Sequence, residues 1–297
     1  MGDGQNGDLR LDFDRRVRLK FLGSQVTTDA GLLAYRELDE TFGLTEVVDG
    51  LLTDRRLGKN KQHGLVALLR QSIYSRLAGY EDVNDAERLS VDPAMRHVVG
   101  GRASQPEKQA ASTSEVGRFE TEMLSTKSNL TALVDLSGKW IDRVHERKPL
   151  KKLILDMDSS VSETYGQQEG TAYNGHFGCT CYHPLFLFNQ DGDLERAILR
   201  RGNHASAKFW RRVLMPVIER YRHHDIPKFF RGDAAFARPA LYRLLEQEDY
   251  QYAIRIPAND VLEREIVHLL TRPVGRPPQK PIVLYAGFLY RDRKSVV

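Results

Sequence analysis

The amino-acid sequence predicts an α/β protein in which a mostly helical amino-terminal region precedes a mixed sheet. Three observations lead there. Apolar residues recur at helical spacing up to about residue 148. After Pro149 short apolar runs take over, two of which, "LILDMD" and "KFFRGD", end on acids. Between those two runs lies "SAKFWRRVLMPVIERYRHH", a long amphipathic stretch able to carry the chain back across a sheet.

The elements follow in order. "RLDFDRRVRLKF" alternates well enough for a strand, and "TTDAGLLAYRELDETFG" reads as a helix capped by Thr28 or Asp29 and closed by Gly43. "HGLVALLRQSIYSRLAG" sets Leu65, Leu69, Ile73 and Leu77 on one stripe, and "YEDVNDAERLSVDPAMRHVVGG" gives two short helices broken at Pro93. Residues 100–112 read as a linker. "STSEVGRFETEML" and "NLTALVDLSGKWIDRVHERK" are helical, the second through Leu130, Leu133, Val134, Ile141 and Val144. "KKLILDMDSS" is then a strand, and "HPLFLFN" and "DLERAILRRGN" form a hairpin about Gln190-Asp191-Gly192. The long helix presents Trp210, Val213, Leu214, Val217, Ile218 and Tyr221 to a core, with a kink expected near residue 212 from Pro216. "IPKFFRGD", a helix entered through Pro239, and the strand "YQYAIRIP" complete the series. Strand, strand, strand, helix, strand, helix, strand is the succession of the ribonuclease-H-like fold.

Composition sets limits on what such a chain does. Its 297 residues, 41% hydrophobic, suffice for one large or two ordinary cores. No apolar run approaches the roughly 20 residues of a membrane helix, and the start "MGDGQNGDLRLDFD" lacks the basic-then-apolar order of a signal peptide. Cytoplasmic residence with no membrane partner is the expectation, and two cysteines suit a reducing compartment. The net charge of +4 is mild but unevenly placed. Arg196, Arg200, Arg201, Lys208, Arg211, Arg212, Arg220, Arg222, Lys228 and Arg231 face only Glu219 and Asp225 within their stretch of chain. Such a run is either a solvated face or a phosphate-binding surface.

The acid-ended strands carry the chemistry. Alternation sends Leu153 and Leu155 one way and Ile154, Asp156 and Asp158 the other. If "LILDMD" lies beside "KFFRGD", its acids meet Asp233 at the carboxyl end of the sheet, where open α/β sheets place their sites. Carboxylates gathered there repel, and a hard divalent cation bound by oxygen relieves them. Asp233, standing before "AAFARP", can alternatively cap the helix that follows. "DMDSS" also fits the opening of haloacid-dehalogenase-type phosphohydrolases, with Asp156 as nucleophile, although a hairpin follows where those enzymes have a helix. His176, Cys179, Cys181 and His183 are zinc-type residues within one hairpin, but Cys-x-Cys spacing on one strand face favours a small buried pair of thiols over a metal.

"LDMDSS", "GQQEGTAYNGHFGCTCYHPLFLFN", "LRRGNHAS" and "RGDAAFARPALY" together resemble the DDE transposases of bacterial insertion sequences, specifically the thirteen-eighty group. Upstream, "YEDVNDAERLSVDPAMRHVVG" and "ASTSEVGRFETE" resemble that group's amino-terminal helical region, so the likeness runs from about residue 15. The resemblance implies a DNA transposase that cuts element ends with water and joins the freed 3′ hydroxyls to target DNA, using Mg²⁺ (or Mn²⁺) and three acids. It puts the first family aspartate on Asp158, followed two residues later by Ser160, with Asp156 beside it as a further candidate metal ligand, and the second on Asp233. Arg200, Arg201, His204, Lys208, Arg211, Arg212 and Arg231 are the implied contacts to double-stranded DNA, and a homodimer on DNA is the implied assembly, in a bacterial cytoplasm at the nucleoid. The organisation expected is a disordered start at 1–14, a helical DNA-binding domain at 15–148, a catalytic core at 149–258 and the beginning of an inserted β-rich segment at 259–297, in which "PIVLYAGFLY" is a strand. The family's third acid, a glutamate on a later helix, is expected beyond Val297 in a truncated chain, with Glu263 or Glu265 as substitutes. A chain so shortened is alternatively an inert DNA-binding remnant.

Overall fold

A computed structural model describes residues 9–11, 14–19, 27–56, 61–100, 108–271, 274–276 and 279–289, the first two stretches as backbone. Of the expected disordered start, Leu9–Leu11 and Asp14 stand in strands, while 1–8 and 12–13, the middle of the expected linker (101–107) and residues 290–297 lie outside the described residues. The chain divides into two compact units, Met1–Leu136 and Ser137–Val297.

In the first unit β1 (Leu9–Leu11) and β2 (Asp14–Leu19) pair antiparallel, two short strands where alternation suggested one. The helices are α1 (Leu32–Phe42), α2 (Glu46–Asp49), α3 (Leu65–Leu77), α4 (Ala86–Leu89), α5 (Pro93–Val98), α6 (Thr113–Arg118) and the first part of α7 (Lys127–Arg147). A π-helical turn, Phe119–Leu124, continues α6. Gly43 closes α1 in the left-handed conformation, as read from the sequence. The expected cap is not made: α1 opens at Leu32 without a side-chain cap, and the Asp29 carboxylate instead accepts from Tyr80 Oη at 3.2 Å. Pro93 starts α5 rather than merely breaking a helix, because Asp92 caps Met95 N at 2.9 Å.

Two departures in this unit share a cause. The buried face of α3 carries Leu68, Leu69, Gln71, Ser72 and Tyr74, while Leu77 of the expected stripe is exposed. Gln71 is buried because its amide makes paired 2.7 Å hydrogen bonds with the peptide of Ala111. Ser72 donates to Glu120, which Arg76 also holds. That is why Ala110 and Ala111, expected in a linker, are buried instead.

The second unit contains β3 (Leu153–Ser159), β4 (Ser162–Glu163), β5 (Ala172–Asn174), β6 (Cys179–Tyr182), β7 (Leu185–Phe188), β8 (Leu194–Ile198), α8 (Trp210–Tyr221), β9 (Lys228–Gly232), α9 (Pro239–Gln247), β10 (Gln251–Ile254) and α10 (Asp260–Ile266). Five strands form one sheet in the order β10-β9-β3-β7-β8. β3 pairs parallel with β9, β9 parallel with β10, and β7 antiparallel with both β3 and β8. This is the ribonuclease-H-like sheet that the succession of elements predicts. β4, β5 and β6 make a separate three-stranded sheet, where the sequence reading had one hairpin. Residues 281–289, expected as a strand, adopt no regular structure.

One face of the large sheet is the core. Leu153, Leu155 and Met157 of β3 join Leu185, Leu187 and Phe230 beneath the six stripe residues of α8 and beneath Leu241, Leu244 and Leu245 of α9. α8 continues through Pro216. Pro216 has no N–H to give the carbonyl of Arg212, and Arg196 Nε occupies that carbonyl at 3.2 Å, which removes the main cost of a proline inside a helix.

A buried charge fixes the far side of this sheet. Glu195 on β8 is fully buried, and its carboxylate accepts from Asn189 Nδ2 at 3.0 Å, from Tyr221 Oη at 2.9 Å and from the Arg220 guanidinium. Burial pushes the Tyr221 phenol up to about 12, so it stays a donor. Gly138 on α7 makes room for Arg220, since a β-carbon there would collide with the guanidinium. Replacing Arg220 with Met should lower unfolding stability in denaturant by about 3 kcal/mol, because it leaves Glu195 buried without its cation. Unchanged stability would show that the pair contributes nothing.

Candidate functional site

Parallel pairing sets the site. The register joins Leu153 to Lys228 and continues through Asp156–Arg231 to Met157–Gly232, so one residue further Asp158 stands level with Asp233. Alternation along β3 is as read from the sequence: Leu153, Leu155 and Met157 are buried, and Ile154, Asp156 and Asp158 look to the opposite face. Asp158 and Asp233 are both exposed. Each has one oxygen engaged locally: Asp158 Oδ1 accepts from Ser159 N at 2.7 Å, and Asp233 Oδ1 accepts from Ala235 N at 3.0 Å. The second bond caps a 3₁₀ turn, Ala234–Phe236, so the capping alternative for Asp233 holds in that form. Neither Oδ2 has a partner among the described residues.

Asp156 differs. Arg231 chelates it, Nε to Oδ1 at 2.6 Å and Nη2 to Oδ2, so both oxygens are occupied. The pair holds the Arg231 guanidinium firmly protonated. Asp156 therefore carries a charged donor on each oxygen, where Asp158 and Asp233 each keep one oxygen without a partner among the described residues, and Arg231 commits two of its donors to it. The sequence reading offered Asp156 to a metal or a phosphorus atom and Arg231 to a phosphate, and did not foresee that the two would pair.

The basic segment lies at the same end of the sheet, because β3 and β9 finish there, β7 begins there at Leu185 opposite Ser159, and β8 finishes there at Ile198 opposite Leu185. Ser160 N donates to Pro184 O at 3.2 Å. Arg200 is buried, contrary to its expected place on a DNA-facing surface. Its guanidinium donates to the carbonyls of His183 (2.7 Å), Pro184 (3.4 Å), Ala205 (3.3 Å), Ser206 (2.8 Å) and Lys208 (2.7 Å). Burial without a carboxylate pulls the Arg200 guanidinium down to about 10. His183 adds a bond from Nδ1–H to His204 O at 2.8 Å. Gly202 lies so close to the carbonyls of Ala172 and Cys181 that a β-carbon would collide with both.

What this tied segment displays is cationic. Arg201, Lys208, Arg211 and Arg212 have no carboxylate partner among the described residues, whereas Arg220, Arg222 and Arg231 are paired with Glu195, Glu248 and Asp156. Phe209, left-handed at φ 65°, gathers the Arg212 guanidinium at 4.4 Å, Lys208 Nζ at 5.2 Å and the His204 ring at 5.2 Å. Desolvation, the surrounding cations Lys208, Arg200 and Arg201, and the neighbouring His183 hold His204 below the usual imidazole range.

Other expectations resolve plainly. Cys179 and Cys181 are free thiols hydrogen-bonded to each other, the small pair the spacing suggested, although only Cys181 is buried and Cys179 is half-buried. Among the described residues no group of three or more His, Cys, Asp or Glu could hold a metal ion. Glu263 and Glu265 are exposed on α10, and neither makes a third member with Asp158 and Asp233. No helix among the described residues is long and apolar enough to cross a membrane. Sequence reasoning missed the Asp156–Arg231 chelate and the buried Arg200; once β3 and β9 are taken as neighbours, the first follows from the register.

The five-stranded mixed sheet is of the ribonuclease-H-like kind, with Asp158 near the end of β3 and Asp233 just past the end of its parallel neighbour β9. The family described as transposase DDE domain group 1 matches residues 9–294, and the chain belongs to that family. Solved structures with loose likeness include a piggyBac transposase synaptic complex with hairpin DNA, 13% identical at TM-score 0.37, covering 85% of this chain and 55% of that one. A Mos1 transposase paired-end complex is 13% identical at TM-score 0.23, covering 84% and 76%. A Mos1 mariner paired-end complex with Mn is also 13% identical at 0.23, covering 86% and 78%. This chain thus spans about half the length of the piggyBac chain. No curated protein matches it.

Adjacent arginines should behave oppositely. Arg200→Met should cost about 3 kcal/mol in denaturant unfolding, since five carbonyls lose a charged donor. Arg201→Met, on the surface, should change stability by less than about 0.5 kcal/mol. Equal effects would refute the structural role given to Arg200.

Proposed function

We propose that this protein is the DNA transposase of an insertion sequence, cutting the element's ends and joining the 3′ hydroxyls to target DNA. The observation that carries the reading is the β3–β9 register, which sets Asp158 level with Asp233, in a chain whose family match spans residues 9–294. The donor set fits a divalent cation such as Mg²⁺ or Mn²⁺, since two exposed carboxylates each keep a free, hard oxygen. Asp158 and Asp233 would hold it, and when bound it supplies Lewis-acid stabilisation to a phosphodiester under attack. The protein's own residues do the rest. Arg201, Lys208, Arg211 and Arg212 bind backbone phosphates of double-stranded DNA, at the end of the sheet where the acids stand. Arg200 and Arg231 act from behind: the first fixes the segment that displays those cations, the second neutralises Asp156. A synaptic homodimer on DNA, bacterial origin and residence at the nucleoid belong to this proposal.

The amino-terminal unit, in this proposal, grips element ends. An inert DNA-binding remnant is the rival, and cleavage decides between them. Calorimetric Mn²⁺ binding should be lost in Asp158→Asn and in Asp233→Asn, together with nicking of end-bearing DNA, and retained in Asp156→Asn. Normal binding by Asp233→Asn would overturn the shared site; metal binding without nicking would favour the remnant.

Binding should also depend on pH. His204 is held low by desolvation and by the cations around it, and a phosphate placed among them raises it, so DNA binding takes up a proton. Affinity for duplex DNA should therefore rise as pH falls through and below the ordinary histidine range near 6.5. His204→Gln should flatten that dependence; an unchanged pH profile would remove His204 from the interface.

A further inference from the structure

Parallel pairing continues from β9 to β10, and it brings a third charged residue level with the two aspartates. The register joins Ala253 to Arg231 and Ile254 to Gly232, and the ladder runs on past the end of β10, where Arg255 N donates to Gly232 O at 3.2 Å. Arg255 is therefore the next residue across from Asp233, as Asp233 is from Asp158. Alternation fixes its face. Ile254 packs against the core with Phe230, so Ala253 and Arg255 look to the opposite side, the one that Asp156, Asp158 and Arg231 occupy.

Two successive rows on this face are built differently. In the first, Asp156, Arg231 and Ala253 stand side by side, and the acid and the base chelate each other. In the second, Asp158, Asp233 and Arg255 stand side by side, and neither acid takes the base: Arg255 is exposed, and its guanidinium has no partner among the described residues. The charge of this row decides what it can hold. Two carboxylates and one guanidinium leave one negative charge, a divalent cation on the acids turns that into one positive charge, and a phosphodiester brings one negative charge. Cation and diester together make the row neutral, and neither does so alone. A guanidinium is also the side chain whose paired donors match two oxygens of a phosphate.

We propose that Arg255 binds the phosphodiester at this site, taking its non-bridging oxygens from the β10 side while Asp158 and Asp233 hold a divalent cation. This rests on the reading that the two acids share a metal. The strand order β10-β9-β3-β7-β8 puts Arg255 on the opposite side of the acids from Arg201, Lys208, Arg211 and Arg212, which follow β8. The acids thus stand between two sources of positive charge, and a DNA backbone laid over the end of the sheet meets both. Arg201 and its neighbours serve phosphates along the duplex; Arg255 serves the one beside the acids.

The test is Mn²⁺ calorimetry on the full chain, without and with saturating dimethyl phosphate, a phosphodiester that has no base or sugar. In the wild type the diester should tighten Mn²⁺ binding about fivefold, a modest coupling between two ligands. Arg255→Met removes a positive charge beside the acids, so it should bind Mn²⁺ alone about threefold more tightly, and the diester should no longer tighten it. That gain is one that damage to the fold does not mimic. Arg255→Lys, which keeps the charge and loses the planar fork, should bind Mn²⁺ alone as the wild type does and lose most of the coupling. Neither substitution should lower the melting temperature, since the side chain is exposed. No coupling in the wild type, or coupling that survives Arg255→Met, overturns the assignment, even where the wild type nicks end-bearing DNA. Coupling that depends on Arg255 in a wild type that nicks no DNA keeps the phosphate site and sinks the transposase reading. A wild type that binds no Mn²⁺ overturns the assignment together with the metal site beneath it.

Discussion

The parallel pairing of β3 with β9 is the constraint on which the rest of the second unit depends. The two strands lie far apart in sequence, and a parallel pair needs a crossover, supplied here by the β7–β8 hairpin and α8. Closing so long a loop costs entropy, so the pairing holds only because the intervening elements bury their own apolar faces on the same core. Register matters as much as adjacency. A slip of one residue in β3 would turn Asp156 and Asp158 into the core and Leu155 and Met157 out to water, and the apolar face forbids it. Asp158 stands beside Asp233 because leucines and a methionine on the other face leave no alternative.

Buried charge is used in two ways around this sheet. Glu195 and Arg220 form an ion pair with Tyr221 and Asn189 as supporting donors, a network that pins β8 to α8. Arg200 has only carbonyls around it, and carbonyls belong to the backbone wherever the chain runs. A guanidinium can therefore fasten a segment with no regular structure, and residues 201–209, in which helix and strand hydrogen bonds are few, are held in shape this way.

This difference decides what could be read from the sequence. The stripe of α8 was legible in full because its partners are apolar and any core accepts them. Alternation in "LILDMD" was legible for the same reason. The face of α3 was not, since Gln71 and Ser72 are buried by partners some 40 residues away, the Ala111 peptide and Glu120, that no periodicity reveals. Arg200 looked like its neighbour Arg201 because a cation satisfied by carbonyls leaves no acidic mate in the sequence. The three-stranded sheet of β4, β5 and β6 was read as one hairpin because its strands are two to four residues long, below the length at which alternation can be counted.

The same logic sorts the run of cations that made the sequence look like a phosphate binder. Arg220, Arg222 and Arg231 are taken by Glu195, Glu248 and Asp156, and Arg200 by carbonyls, so much of the apparent positive surface is internal structure. The remainder, Arg201, Lys208, Arg211 and Arg212, is smaller but lies at one end of the sheet with Asp158 and Asp233. Those two carboxylates are exposed, so water and salt screen their repulsion, and each rests on one local backbone N–H. The fold therefore tolerates opposite unpaired charges side by side without either being needed to hold it together. Groups that carry no structural burden are the ones free to meet a cation and a polyanion, and here they are the two aspartates level in register and the cations of the segment that Arg200 ties down.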